Sequence, residues 1–198
     1  MTAPAINPLV LLFAAVFTSN ILLSNFLGMC SFISISGNLK SSNGLGIAVI
    51  LVMTITSILN WVIDHFILEP LGLGFLSFIV FIMVIAATVQ ILEMVIERLS
   101  PALYMALGIF LPLITVNCAI LGVVLFIQIR SYGPLQALLF GFGSGVGWWL
   151  AILALSAIRL KIDKSPVPAG LKGPGITLLT IGLMAMAFLG FSGMLAVQ

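Results

Sequence analysis

Long apolar segments separated by short polar connections dominate the chain. A helix that crosses the hydrocarbon core of a membrane needs about 20 apolar residues to span roughly 30 Å. Six segments meet this requirement: residues 8–34, 43–66, 73–97, 102–128, 135–158 and 174–195. Their apolar runs are unbroken, whereas the strands of a membrane β-barrel alternate between apolar and polar residues. The pattern predicts an all-α integral membrane protein with six transmembrane helices, forming a single transmembrane domain over residues 1–198.

The composition supports this assignment. Of the 198 residues, 62% are hydrophobic and only 6% are charged, whereas a soluble domain carries about 25% charged residues. The chain has no room for a nucleotide-binding domain or a nucleic-acid surface. We expect membrane lipid to surround it. The first apolar run lacks a positively charged start and is too long for a signal peptide, so we expect it to remain as span 1.

Basic residues are concentrated in the connections on one side of the predicted bundle. Only Arg130 lies on the other side. Connections rich in Lys and Arg stay in the cytoplasm, so the pattern predicts cytoplasmic connections and termini on the outer side. Asp64 and Glu69 are predicted in an outer loop. The longest polar segment, residues 161–175, is interpreted either as a topogenic loop or as a docking loop for a partner. The basic residues of the predicted cytoplasmic side are Lys40, Arg98, Arg159, Lys161, Lys164 and Lys172.

The positions of the two cysteines indicate an internal repeat. Cys30 lies late in span 1 and Cys118 lies late in span 4, an offset of 88 residues. The spacing of the spans then divides the chain into repeats of about residues 1–98 and 99–198. A repeat of three spans requires an inverted second copy. Inverted repeats typically place their site near the bilayer midplane, on discontinuous helices.

Residues that interrupt helices accompany both cysteines. Span 1 contains Asn25 and Gly28, and span 4 contains Pro112 and Asn117. A proline inside a helix removes a hydrogen bond and clashes with the preceding turn. Backbone freed in this way is tolerated at membrane depth only where protein or a cavity buries it. We therefore predict that spans 1 and 4 are discontinuous and that their broken ends meet from opposite sides, which brings the cysteines towards each other.

The two thiols admit three interpretations. They can be buried small hydrophobic residues, a disulfide, which requires an oxidising compartment, or ligands of a soft metal such as iron or zinc. An iron–sulfur cluster takes four cysteines. Two cysteines per chain would then form half a site, and a second subunit would supply the other half.

Other groups with possible chemistry are fewer. His65 is the only histidine, so a histidine-based metal site has no support. Glu93 and Glu97 share one face near the end of span 3, where they either guide a cation or reach the membrane interface. The segment "GFGSGVGWW", residues 141–149, has no lysine in the position that a phosphate-binding loop needs. Its small residues favour close packing of membrane helices.

Four segments carry a family resemblance. They are "FLGMCSF", "VQILEMVIERLSPALYMALGIFLPLITVNCAI", "GFGSGVGW" and the ending "GLMAMAFLGFSG". Together they resemble, over nearly the whole chain, a family of bacterial membrane proteins. This family includes the E-type subunit of the sodium-translocating NADH:quinone oxidoreductase (Nqr) and the A-type subunit of the Rnf complex. The segments "LGMCSF" and "TVNC" favour the Nqr branch, since "LGLCPF" and "TTNC" are expected in Rnf.

The resemblance implies a six-helix subunit paired with a homologous, inverted D-type subunit, in a complex that also contains A-, B-, C- and F-type subunits. Cys30 and Cys118 would be two of the four ligands of an intramembrane iron centre, a 2Fe-2S cluster in preference to a mononuclear iron. Asn25, Gly28 and Asn117 would surround these ligands. NAD, FAD, FMN and quinone would bind only to other subunits.

The implied function is electron transfer within a translocase, the sodium-pumping NADH:quinone reductase of the bacterial inner membrane. The chain would not be catalytic alone. One alternative is an Rnf subunit that passes electrons between ferredoxin and NAD. The inverted repeat alone also suggests a small secondary transporter, although such proteins place ionisable residues at the midplane. A purely structural scaffold is a further alternative.

Overall fold

The fold is taken from a computed structural model that describes residues 7–72, 74–99, 111–166 and 173–192. The regular elements within these residues are all helical, as the apolar pattern predicts. The main helices are α1 (Pro8–Phe13), α2 (Met29–Ile35), α3 (Leu39–Ile63), α4 (Ser77–Leu99), α5 (Leu111–Thr115), α6 (Cys118–Ile129), α7 (Pro134–Ile162) and α8 (Pro174–Ser192).

Three helical segments of the described chain are long and apolar enough to cross a membrane. They are Leu39–Leu71, Gly74–Val95 and Pro134–Ile162, and they correspond to predicted spans 2, 3 and 5. Shorter apolar helices occupy the positions of spans 1, 4 and 6: Pro8–Thr18, Leu113–Ile129 and Pro174–Gly190. The N-terminal part of span 4 lies outside the described residues. The arrangement of six spans as two repeats therefore stays a prediction.

Span 2 is longer than the sequence pattern indicates. A π-helical turn, Asp64–Leu68, continues α3, and a short helix, Glu69–Leu71, follows it. Gly72 then adopts a left-handed conformation with φ of 66°, which commonly ends helices because glycine has no Cβ. Asp64 and Glu69 therefore lie on a helix and not in the predicted outer loop.

Helices α3 and α7 form an antiparallel pair that is the centre of the fold. At one end, Trp149 Nε1 donates a hydrogen bond to Asn43 Oδ1 over 3.1 Å. At the other end, Trp61 Nε1 donates to the carbonyl oxygen of Tyr132 over 2.8 Å. Residue numbers rise along α3 as they fall along α7, so the two helices run in opposite directions.

Glycines of α7 allow neighbouring helices to approach its backbone from two sides. A Cβ atom on Gly145 would lie 2.9 Å from the Cα atom of Ile50 in α3. A Cβ atom on Gly143 would lie 3.1 Å from the carbonyl oxygen of Leu12 in α1. These contacts confirm that "GFGSGVGWW" is a packing segment, because only small residues permit such close approach between membrane helices.

Candidate metal centre

Span 1 is interrupted after a π-helical segment, Ala14–Thr18, and resumes as α2 at Met29. The buried side chain of Asn20 forms hydrogen bonds with the backbone where this interruption begins. Its Nδ2 donates to the carbonyl oxygens of Val16, at 3.1 Å, and Gly147, at 2.9 Å. Its Oδ1 accepts hydrogen bonds from the backbone N–H groups of the two residues that follow Ile21, at 3.1 and 3.3 Å. One side chain thus bonds four backbone groups at the break, two of them donors and two acceptors.

Span 4 is interrupted between α5 and α6. Asn117 forms the N-cap of α6, and its Oδ1 accepts a hydrogen bond from the backbone N–H of Ala119 over 3.0 Å. Pro112 lies in α5 beside residues 100–110, which are outside the described residues, so its part in the break stays a prediction. Within the described residues the interruption falls at Val116 and Asn117, where the amide side chain of the N-cap satisfies a backbone N–H that a new helix leaves unpaired.

The two interruptions meet at a hydrogen bond to sulfur. The backbone N–H of Gly28, the N-cap of α2, donates to Cys118 Sγ over 2.9 Å. Cys118 is the first residue of α6, and Cys30 is the second residue of α2. The structure therefore brings Cys118 against the turn that carries Cys30, as the predicted meeting of the broken spans requires.

Helices α2 and α6 approach this point from opposite ends of the α3–α7 pair. Near the C-terminal end of α2, the carbonyl oxygen of Ile33 accepts a hydrogen bond from Arg159 Nη1 over 3.0 Å. Near the C-terminal end of α6, Gln128 Nε2 donates to Asp64 Oδ1 over 3.1 Å. Arg159 lies at the end of α7 and Asp64 at the end of α3. Because α3 and α7 are antiparallel, α2 and α6 point their N-termini at each other.

Gly28 is enclosed by residues that leave no space for a side chain. A Cβ atom at this position would lie 2.8 Å from Trp148 Nε1, 3.0 Å from Asn117 Oδ1 and 3.1 Å from Ala119 Cβ. The φ angle of Gly28 is 86°, in the left-handed region that favours glycine. Both its conformation and its surroundings therefore require glycine, and this fixes the N–H group that faces Cys118.

Ser31 forms a second link between the turn that contains Gly28 and the turn that contains Asn117. Its Oγ donates to the carbonyl oxygen of Gly28 over 3.1 Å and accepts a hydrogen bond from Asn117 Nδ2 over 3.3 Å. Of the three predicted neighbours of the cysteines, Gly28 and Asn117 thus lie at the site. Asn25 is exposed, and its side chain forms no hydrogen bond with the described part of the chain.

Both cysteines are free and exposed in the isolated chain. Large apolar residues of both interruptions are also exposed beside them, Phe26 to 53% and Val116 to 71%. In a membrane protein, exposed apolar residues of this kind face either lipid or another protein chain.

The chemistry of the site suits a metal held by thiolates. A backbone N–H donor and the positive end of a helix dipole both stabilise negative charge, and Cys118 has both. Soft thiolate ligands select iron–sulfur clusters or zinc. Within the described residues, no group of three or more His, Cys, Asp or Glu side chains could hold a metal. The assignment of the two cysteines as half of a metal site stays a prediction.

The predicted cation-guiding residues lie elsewhere. Glu93 is half-buried and Glu97 is exposed, one helical turn apart near the C-terminal end of α4. Neither forms an ion pair with the described residues; the ion pair found among those residues joins His65 Nδ1 and Glu69 Oε2 over 2.8 Å. The role of Glu93 and Glu97 in a cation path stays a prediction.

Three residues of the site were not predicted from the sequence: Asn20, Ser31 and Trp148. Asn20 carried a usable signal, because a buried amide inside a predicted span requires partners for its polar atoms. Ser31 and Trp148 carried no such signal. Their role depends on the meeting of Gly28 and Asn117, which are distant from each other in the sequence.

Comparison with known proteins identifies the family of this chain. Residues 9–195 match the family model described as "Rnf-Nqr subunit, membrane protein". The chain is 52% identical to the E subunit of the Na(+)-translocating NADH-quinone reductase of Chlamydia trachomatis serovar L2, over 95% of this chain and 82% of the relative. The E subunits of Chlamydia trachomatis serovar D and Chlamydia muridarum match with the same identity and coverage. The chain belongs to the Rnf-Nqr family of membrane subunits.

Proposed function

We propose that this chain is the E-type electron-transfer subunit of a Na(+)-translocating NADH-quinone reductase. Cys30 and Cys118 would supply two ligands of an intramembrane iron centre. The observation that carries the proposal is the hydrogen bond from the Gly28 N–H to Cys118 Sγ, 2.9 Å long, which joins the two cysteine turns. The 52% identity to named E subunits over 95% of the chain supports the assignment to this complex.

An iron centre bound at this position would supply one-electron transfer, and the family resemblance implies a 2Fe-2S cluster in preference to a mononuclear iron. The residues of the chain provide its surroundings. The Gly28 N–H stabilises negative charge on Cys118, and Asn117 fixes the first turn of α6 on which that cysteine lies. Asn20 holds the backbone of the interrupted span. Buried neighbours such as Trp148 exclude water from the inner side of the site.

The remaining ligands would come from a homologous D-type subunit, inverted with respect to this chain. The exposure of both cysteines supports a partner on this face, because a metal shared by two chains needs ligands at the surface of each. The other subunits of the complex, of types A, B, C and F, would bind NAD, FAD, FMN and quinone.

The proposed topology is six spans in two inverted repeats within the bacterial inner membrane. Helices α3 and α7 are equivalent in the two repeats, and their antiparallel packing is what inverted copies require. Lys40 and Arg159 lie at one end of this pair, where α3 begins and α7 ends, whereas Arg130 lies at the opposite end. This separation of charge supports a cytoplasmic position for the basic end and periplasmic termini.

The experiment replaces each cysteine by alanine in the complete complex. We expect Cys30→Ala and Cys118→Ala each to remove most of the iron and its electron paramagnetic resonance signal, and to stop NADH-driven quinone reduction. Reduction of artificial acceptors by the NADH-oxidising subunit should survive. The double variant should be little worse than either single one, because residues that serve one site act as a unit.

A matched control is Thr54→Ala, which changes a small polar side chain of α3 whose Oγ1 bonds only its own helix, at Ile50. The control complex should keep its iron and its activity. Full iron content and normal quinone reduction in the Cys118→Ala complex would contradict the ligand assignment.

A further inference from the structure

A cavity of about 640 Å³ opens at the end of the α3–α7 pair that is opposite the basic residues. It lies between the C-terminal end of α3, the start of α4, the end of α6 and the connection into α7. Its wall includes Asn60, Asp64, Gln128 and Tyr132. The metal centre proposed above uses none of these residues, so the cavity is a separate feature of the fold.

Two oxygen-bearing side chains of α3 lie on the same face of this wall. Asn60 and Asp64 are four residues apart and therefore lie one helical turn above each other. Asn60 is 1% exposed, and its Nδ2 donates to the carbonyl oxygen of Thr56 over 2.8 Å. Its Oδ1 has no hydrogen-bond partner among the described residues. A buried amide oxygen without a partner is unfavourable, and a ligand in the cavity would give it one.

Asp64 supplies a negative charge to the wall of the cavity. Its carboxylate is half-buried and accepts one hydrogen bond, from Gln128 Nε2 over 3.1 Å. Glu69 pairs with His65 at the rim, where both side chains are more than half exposed. No Lys or Arg is among the described residues that line the cavity, but Arg130 Nη1 donates to Tyr132 Oη in its wall over 3.0 Å. The two carboxylates of Asp64 and Glu69 outnumber this one guanidinium, so the wall keeps a net negative charge, which favours a cation.

We infer that this cavity binds a small monovalent cation between the Asp64 carboxylate and Asn60 Oδ1. Ionisable residues inside membrane segments mark ion paths, and oxygens of carboxyl and carbonyl type coordinate Na⁺ in membrane proteins. A single carboxylate beside a neutral amide matches one positive charge. The choice of Na⁺ rests on the proposed function, whereas the choice of a cation rests on the cavity itself.

The experiment measures the Na⁺ dependence of quinone reduction by the complete complex, at constant ionic strength maintained with choline chloride. Asp64→Asn removes the charge but keeps an oxygen that can accept from Gln128. Asn60→Leu removes the unpaired oxygen and keeps the volume of the side chain. Each variant should raise the half-saturating Na⁺ concentration about tenfold, as expected for the loss of one charge-assisted contact.

The matched control is Asp163→Asn, which makes the same chemical change at an exposed position just beyond the other end of α7. Its Na⁺ dependence should equal that of the wild type. Wild-type Na⁺ dependence in both Asp64→Asn and Asn60→Leu would overturn the inference. If Asp64→Asn fails to assemble, Asn60→Leu decides alone.

Direct Na⁺ binding separates this inference from the proposed function. The broadening of the sodium-23 magnetic resonance signal by the wild-type complex should exceed that by the Asn60→Leu complex. A wild-type complex without Na⁺ stimulation would contradict the proposed function, and the cavity would still be supported by this difference in broadening. Equal broadening by the two complexes would overturn the cation site.

Discussion

The backbone N–H of Gly28 and the sulfur of Cys118 are 2.9 Å apart, although 90 residues separate them in the chain. This contact joins the two interrupted spans at the point where α2 and α6 begin. The donor is a backbone group, so its direction depends on the conformation of Gly28 and not on a side chain. The geometry around the sulfur is therefore sensitive to any substitution that moves this one peptide.

Gly28→Ala should disrupt the candidate metal centre. An alanine in the left-handed conformation costs about 1–2 kcal/mol, and its Cβ would lie 2.8 Å from Trp148 Nε1. Trp148 is fully buried and cannot move without displacing its neighbours, so the peptide must shift away from Cys118. We expect a large loss of iron per assembled complex, measured by metal analysis.

Gly72→Ala is the control for backbone strain alone. Gly72 has a φ of 66°, and a Cβ atom there would contact nothing within 4 Å. This substitution should lower stability slightly and leave the iron content unchanged. Equal iron in the Gly28→Ala and wild-type complexes would show that the Gly28–Cys118 contact does not hold the centre.

Asn20→Leu should destabilise the interruption of span 1. The substitution keeps the volume and removes the bonds to four backbone groups. Unpaired buried groups cost about 1–3 kcal/mol each, so the midpoint of thermal unfolding of the complex should fall clearly. Asn43→Leu is the control, because Asn43 is exposed and bonds only Trp149. A wild-type midpoint for Asn20→Leu would show that these bonds do not stabilise the interruption.

Local sequence signals predicted where the spans are interrupted, but contacts between distant residues determine the conformation of each interruption. Gly28 and Asn117 were identified from the sequence because glycine and asparagine stand out in apolar segments. Asn20 pairs with Gly147, 127 residues away, and no local pattern contains that information.

The end of span 2 shows the same limit. Charged residues near the end of an apolar run usually indicate a loop, and this led to the prediction of an outer loop around Asp64. The helix instead continues, and the contact between Asp64 and Gln128 gives the carboxylate a partner on a neighbouring helix. The cavity beside it could not be predicted, because its walls come from four separate segments.

Close packing between α3 and α7 should depend on Gly145. A Cβ atom at this position would lie 2.9 Å from the Cα atom of Ile50, a backbone atom that cannot rotate away. Gly145→Ala should therefore separate the helices and lower the yield of folded protein, measured by monodispersity in detergent. Gly182→Ala in α8 is the control, since its Cβ would contact nothing within 4 Å. A normal yield for Gly145→Ala would show that the α3–α7 contact tolerates an added methyl group.

The orientation of the bundle follows from the separation of its basic residues and is open to direct measurement. Lys164 follows the end of α7, at the basic end, whereas Ser131 connects α6 to α7 at the opposite end.

Alkaline phosphatase is active only outside the cytoplasm, and green fluorescent protein is fluorescent when it folds inside. A fusion at Lys164 should therefore fluoresce without phosphatase activity. Fusions at Ser131 and after Gln198 should show phosphatase activity without fluorescence, because α8 starts at the basic end and leads away from it. The opposite result at all three positions would invert the orientation and place the cavity of Asp64 on the cytoplasmic side. A cytoplasmic position at Gln198 alone would contradict an even number of spans.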